Sequence, residues 1–185
     1  MYRDFDILKL GHPHLRLTAE AVNDVASDDN QVLFKRLLAF VIAQQGMGIA
    51  APQVDISQRF FMMSSHPNSR YPHAPLMQPT VVINPEILWM SDHQQKEWEG
   101  CLSVPGVRAL VPRHTEIDVR YTLATNDIVQ IRYSGFLARV FQHEYDHLNG
   151  LVFLDRIETS HDIMVEDEWQ KRIANHDQHA SNIAF

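Results

Sequence analysis

The chain has one cysteine, Cys101, among 185 residues. An intramolecular disulfide is therefore excluded, and with it the small secreted scaffold that depends on such bridges. Positive charge is also scarce: 16 lysines and arginines stand against 23 aspartates and glutamates, for a net charge of −7. No basic stripe runs along the chain, so it lacks the electrostatic footprint of a protein that tracks a phosphate backbone, and no direct nucleic-acid partner is expected. Long apolar runs are missing too. The longest, residues 37–43, is seven residues, against the roughly 18 that suggest a membrane span. Residues 1–10 carry Arg3, Asp4, Asp6 and Lys9 where a signal peptide would have an apolar core. A soluble, cytoplasmic protein without a membrane partner is the expectation.

What is present fits one domain. With 45% hydrophobic residues, a chain of this length can bury about 70% of its unfolded surface. No repeat or low-complexity tract divides it, so residues 1–160 are expected to form a single catalytic domain and residues 161–185 a polar, acidic tail. Val32, Leu33, Leu37, Leu38, Val41 and Ile42 recur at helical spacing after the capping candidates Ser27 and Asp28, which predicts a helix over residues 29–45 that Gly46 ends. Strands are expected at residues 59–64 and 80–88. The alternation of Ile117, Val119, Tyr121 and Leu123 predicts a third, paired with residues 128–133 across a turn at Asn126 and Asp127. A second helix follows from the N-cap candidate Ser134 to the stop signal Asn149-Gly150. Antiparallel strands followed by a late helix make the fold class α+β. From Arg156 onward three basic residues face six acidic ones. There Ile163, Val165 and Trp169 suggest a short packed helix before an end that frays.

Chemistry enters on the second helix. His143-Glu144-Tyr145-Asp146-His147 reads H-E-x-x-H, and residues i and i+4 stand one turn apart on one helix face, so both imidazoles can reach one metal ion. Glu144 projects beside such an ion and can take and return a proton. A third ligand defines the class of site. The metzincin pattern fails because position 153 is Phe where it requires His. A thermolysin-like arrangement would use Glu166 or Glu168, although an acidic surface is the simpler account of both. Cys101 offers a soft thiolate, which would complete a Cys-His-His set with a fourth position open. It sits in Glu99-Gly100-Cys101-Leu102-Ser103, with Pro105-Gly106 shortly after, and Gly100 lets another backbone approach closely. The third segment is Gly46-Met47-Gly48-Ile49-Ala50-Ala51-Pro52-Gln53, in which Gly48 can expose main-chain groups and Gln53 can donate an amide hydrogen bond to an oxyanion. Five of the seven glycines (46, 48, 100, 106 and 150) lie in or beside these three segments, so permissive backbone is concentrated where a site would be.

Together the segments resemble the peptide deformylase family, whose motifs are G-Φ-G-Φ-A-A-x-Q (Φ, hydrophobic), E-G-C-x-S and Q-H-E-x-D-H. They are matched in the family's order by residues 46–53, 99–103 and 142–147. The resemblance implies antiparallel sheets around a central helix that carries the histidines. It also implies hydrolysis of the N-formyl group from the N-terminal formylmethionine of newly made polypeptides, with release of formate. By the same resemblance Cys101, His143 and His147 bind one divalent metal ion, Fe²⁺ natively, with Zn²⁺, Ni²⁺ or Co²⁺ as substitutes. A metal-bound water then attacks the formyl carbon, with Glu144 as general base and acid. The Gln53 side chain and the Leu102 backbone N–H stabilise the oxyanion, and the backbone near Met47, Gly48 and Gly100 holds the peptide extended. The family's ribosome contact is associated with a basic C-terminal extension, and the acidic tail here does not support it. Arg108 is open between a contact to the substrate backbone and a solvated surface cation, and Trp98 between a pocket border and the core. Two other readings stand beside this one: an H-E-x-x-H endopeptidase with a C-terminal Glu ligand, and a non-catalytic binder of peptide N-termini.

Overall fold

A computed structural model describes residues 5–44, 46–68 and 71–181. In chain order it contains α1 (Asp28–Ala43), β1 (Gly48–Ala50), β2 (Phe60–Ser65), β3 (Met77–Met90), β4 (Gln94–Cys101), β5 (Val104–His114), β6 (Glu116–Thr122), β7 (Ile128–Ser134), α2 (Gly135–Leu148), β8 (Ile163–Val165) and α3 (Glu166–Ser181). Five strands form one antiparallel sheet in the order β1-β2-β3-β6-β7, and three form a second in the order β4-β5-β8. This is the expected α+β class.

Local chemistry sets the ends of these elements. The Ser27 hydroxyl accepts the Asn30 N–H at 3.4 Å, and Asp28 and Asp29 lie at the positive end of the α1 dipole. The buried face of α1 is Phe34, Leu37 and Val41, whereas Val32 and Ile42 point outward. The buried stripe is thus rotated from the expected one, because Phe34 packs edge-on against Phe60 of β2 with ring centroids 5.0 Å apart. Past the helix end, the Gly46 N–H donates to the Val41 carbonyl at 3.1 Å; Gln45 lies outside the described residues. β6 and β7 pair from Glu116↔Ser134 to Thr122↔Ile128, closed by a turn in which Asn126 has φ +71°. The β4–β5 hairpin has no counterpart among the expected elements. Its outer strand, Gln-Gln-Lys-Glu-Trp-Glu-Gly-Cys, is mostly polar and shows no period-two apolar pattern.

α2 is buried on two sides. Its apolar side places Ala138, Phe141 and Leu148 against Phe61, Tyr121 and Tyr133 of the five-stranded sheet. The Phe141 ring meets Phe61 at 5.1 Å and 83°, and burying such a side chain stabilises the fold by roughly 1.5–3 kcal/mol. On its polar side Arg139, Gln142, Glu144, Asp146 and His147 are all buried; Arg139, Gln142 and Asp146 bond to β5 of the three-stranded sheet, while Glu144 lies against Gly48 of β1. One helix therefore joins both sheets and carries the polar cluster between them. The tail docks further than its composition suggests. Ile163, Met164 and Val165 pair with Ala109, Arg108 and Val107 of β5, and Lys96 bridges Glu158 (2.6 Å) and Asp162 (3.0 Å). Trp169 is buried on α3, which runs for 16 residues rather than forming a short helix. The expected fraying of the chain end concerns residues 182–185, outside those described.

Candidate metal centre

Cys101 ends β4, while His143 and His147 stand one turn apart on α2. One donor atom from each lies within 4.8 Å of the other two, and among the described residues this is the His, Cys or carboxylate set that converges. The Cys101 Sγ is 3.3 Å from His147 Nε2, and the two imidazole centroids are 5.2 Å apart. His143 Nδ1 lies 2.8 Å from Glu99 Oε2. An ionised carboxylate only accepts, so a proton sits on Nδ1 and Nε2 is the atom turned to the centre. Burial pushes the His143 pKa down, but Cys101 and Glu99 outweigh it and hold it well above its ordinary value, so an ion bound at Nε2 would displace a proton.

The charges around this set favour a cation. Burial pushes the Cys101 thiol up, but His147 and His143 beside it outweigh that and hold it well below its ordinary value. The Ser103 N–H and Gln53 Nε2 each donate to Sγ at 3.4 Å, which also favours thiolate. Glu99 is pushed up by burial and pulled further down, well below the usual carboxylate range, by Arg113 and His143. A thiolate, a carboxylate-oriented imidazole and a second imidazole suit a divalent ion with one position left open.

Glu144 lies beside this set. Its carboxyl is buried and pushed up by that burial to about 7, with the two imidazoles pulling the other way. Its Oε2 has no hydrogen-bond partner among the described residues, an acceptor that a ligand in the cleft would satisfy. Gly48 makes room for it: a Cβ built at position 48 would lie 2.7 Å from Glu144 Cδ and 2.8 Å from Cγ. Gln53 sits on the 3-10 turn Ala51–Val54 that follows β1. Its Oε1 accepts the Ala50 N–H at 2.8 Å, which turns Nε2 toward Ser103 Oγ (3.1 Å) and Cys101. Leu102 occupies the turn between β4 and β5, next to the thiol. Gly48, Gly100, Leu102, Gln53 and Met47 all line one cleft of about 390 Å³ together with Cys101, His143 and Glu144. The Met47 carbonyl is already used by the Ser64 N–H at 2.8 Å. β1 is an edge of one sheet and β4 an edge of the other, so one edge of each sheet borders this cleft and is placed to pair with an extended chain.

Several important residues had no assigned role in the sequence. Glu99 accepts from Arg113 (2.9 and 3.1 Å), Arg139 (2.8 Å) and His143, while Asp146 accepts from Arg113 (2.5 Å) and Arg156 (2.6 Å). Gln142 exchanges hydrogen bonds with both main-chain groups of His114, fixing α2 to β5. The signal was the presence of Glu99, Gln142 and Asp146 inside the recognised segments. Arg113 and Arg139 had none. Arg108 is not a solvated cation: it is buried and bound to Glu166 and Tyr71. Trp98 is half-buried and lines the cleft. The alternative third ligands are engaged elsewhere, Glu166 with Arg108 and Glu168 with Lys171.

Residues 5–162 match the family model described as polypeptide deformylase. A relative named peptide deformylase 2 from Nostoc sp. is 46% identical over 167 residues, covering 90% of this chain and 93% of its own. A peptide deformylase 2 from Shewanella oneidensis is 43% identical over 150 residues, 81% of this chain and 82% of its own. Among solved structures, a class I type b peptide deformylase from Acinetobacter baumannii with bound Met-Ala-Ser superposes with a TM-score of 0.82 at 42% identity, over 85% of this chain and all of that one. One from Synechococcus elongatus in complex with actinonin gives 0.75 at 33% identity, over 85% and 81%.

Proposed function

The chain belongs to the polypeptide deformylase family, and from that premise we propose that it hydrolyses the formyl group of N-terminal formylmethionine on newly made polypeptides and releases formate. The observation that carries this reading is the convergence of Cys101, His143 and His147 with the Glu144 carboxylate and the Gln53 amide around one cleft. Cys101, His143 and His147 would hold one divalent ion, Fe²⁺ natively, with Zn²⁺, Ni²⁺ or Co²⁺ compatible with the same donors. Such an ion lowers the pKa of water toward neutrality and polarises the formyl oxygen.

The chain's own residues supply the rest. Glu144, poised near neutrality by burial, takes the proton from the attacking water and passes it to the departing amine. Gln53 Nε2, pinned through its own carbonyl, and the Leu102 N–H donate to the oxygen on which negative charge develops. The main chain near Met47, Gly48 and Gly100 would hold the peptide extended between the two sheet edges. A thiolate donor leaves less positive charge on an ion than a third imidazole would, which raises the weight of the two hydrogen-bond donors. Residues 1–160 make up the catalytic domain in this reading, and 161–185 are an appended segment. The partner is a nascent chain in the cytoplasm; the acidic tail does not support a ribosome contact. Among the described residues no helix is long and apolar enough to cross a membrane.

Formate release from formyl-Met-Ala-Ser by Fe²⁺-, Ni²⁺- or Zn²⁺-loaded protein tests the proposal, and no turnover with any of them would sink it. Glu144→Gln should keep the ion while losing about 10²- to 10⁴-fold in rate. A simple binder of peptide N-termini would need neither Glu144 nor the pinned Gln53, and would be untouched by that change.

A further inference from the structure

One wall of the cleft takes no part in the chemistry just described. Arg108 on β5 is 4% exposed and lies across Gly100, its cross-strand partner on β4. A Cβ built at Gly100 would sit 2.7 Å from its Nη1. Its guanidinium is fixed from three directions. Glu166, the first residue of α3, accepts from Nε at 2.5 Å and Nη2 at 3.0 Å. Tyr71 Oη accepts from Nη1 at 3.1 Å, and the Trp169 ring on α3 lies 4.6 Å from the guanidinium carbon. Tyr71 also packs on Phe136 of α2, with ring centroids 5.1 Å apart, so it reaches from that helix to β5. Arg108, Glu166, Tyr71 and Phe136 all border the cleft.

Gly100 immediately precedes the ligand Cys101. A peptide whose formyl group lies at the centre and whose chain follows the β4 edge therefore meets Arg108 just past its first residue. A buried cation there would attract acidic side chains and repel basic ones. The bidentate Glu166 carboxylate masks it, and it arrives from α3, outside the three segments that carry the reaction. We propose that Glu166 is a specificity-determining residue: by neutralising Arg108 it lets the cleft accept peptides whose second and third residues carry either charge. The nature of the peptide rests on the deformylase reading above.

The test compares formyl-Met-Glu-Ser with formyl-Met-Lys-Ser by kcat/KM, and Met-Glu-Ser with Met-Lys-Ser by calorimetric binding, on the metal-loaded full chain. Wild type should discriminate by less than about threefold. E166Q should shift both ratios toward the glutamate peptide by about tenfold, and the double variant E166Q/R108Q should bring them back. A merely structural role for Glu166 would lower both peptides equally. Ratios in E166Q within twofold of wild type, or a shift that R108Q does not reverse, would overturn the proposal, as would failure of wild type to bind either peptide. Absence of formate release from a chain whose binding ratios still shift would remove the deformylase reading and leave the charge mask standing.

Discussion

Replacing Glu99 separates two roles that the fold gives to one carboxylate. It is 4% exposed and accepts hydrogen bonds from Arg113, Arg139 and His143. Glu99→Ala leaves Arg113 with Asp146 alone and Arg139 with the half-exposed Glu97 and two main-chain carbonyls. Breaking a buried pair by removing one partner costs about 3–5 kcal/mol, equivalent to lowering the melting temperature by about 6–20 °C in a chain of this size. Glu99→Gln keeps the volume but loses the charge, for a cost of about 1.5–3 kcal/mol. Both changes release His143 Nδ1, and losing the group that orients a ligand histidine typically weakens metal affinity about 10- to 100-fold. Denaturant unfolding of the metal-free protein reads the first effect, and competition against a chelator of known affinity reads the second. The pH dependence follows with a definite sign. The folded carboxyl is held below its unfolded value of about 4.3, so its stabilisation is present above that pH and is lost as the pH falls through the folded value. Glu99→Gln should flatten that acid limb. If the metal-free variant unfolded within about 0.5 kcal/mol of wild type and bound metal equally well, the account of the Glu99 cluster would be refuted.

Three other perturbations probe the centre. Gly48→Ala places a methyl against the Glu144 carboxylate; metal content should hold while kcat falls at least about tenfold, with about 1–3 kcal/mol of overpacking visible in unfolding. Gln53→Ala should lower kcat about 100-fold with a smaller effect on KM, and an unchanged kcat would remove Gln53 from the oxyanion site. Cys101→Ala should abolish stoichiometric metal binding in elemental analysis. Full occupancy in that variant would return the third-ligand question to Glu166 or Glu168.

How much of this was legible depended on the range of the interaction. Helix α2, its cap position and its Asn149-Gly150 stop are local features, and so is the β6–β7 hairpin with its turn at Asn126. Both were readable from periodicity and turn chemistry. The rotation of α1 was not, because Val32 and Phe34 are equally apolar and only Phe60 across the interface decides which is buried. β4 escaped because Gln94 to Glu97 face solvent and Trp98 to Cys101 face a cleft and a charge cluster rather than an apolar core, which removes the alternation that marks a strand.

The sequence by itself determined the chemistry available: one thiol, an H-E-x-x-H helix, a glutamine after a glycine-rich loop, and a net negative charge. Three short segments were enough to indicate the family. The tertiary structure decided which groups meet. Helix spacing can place two imidazoles together, but only the docking of the β4–β5 hairpin against α2 brings Cys101 to His147 and Glu99 to His143. Only the return of the tail as β8 and α3 puts Glu166 on Arg108. Those partners lie 44–58 residues apart in the chain, and no local pattern encodes a pairing of that range; it emerges when both sheets bury their faces against one helix.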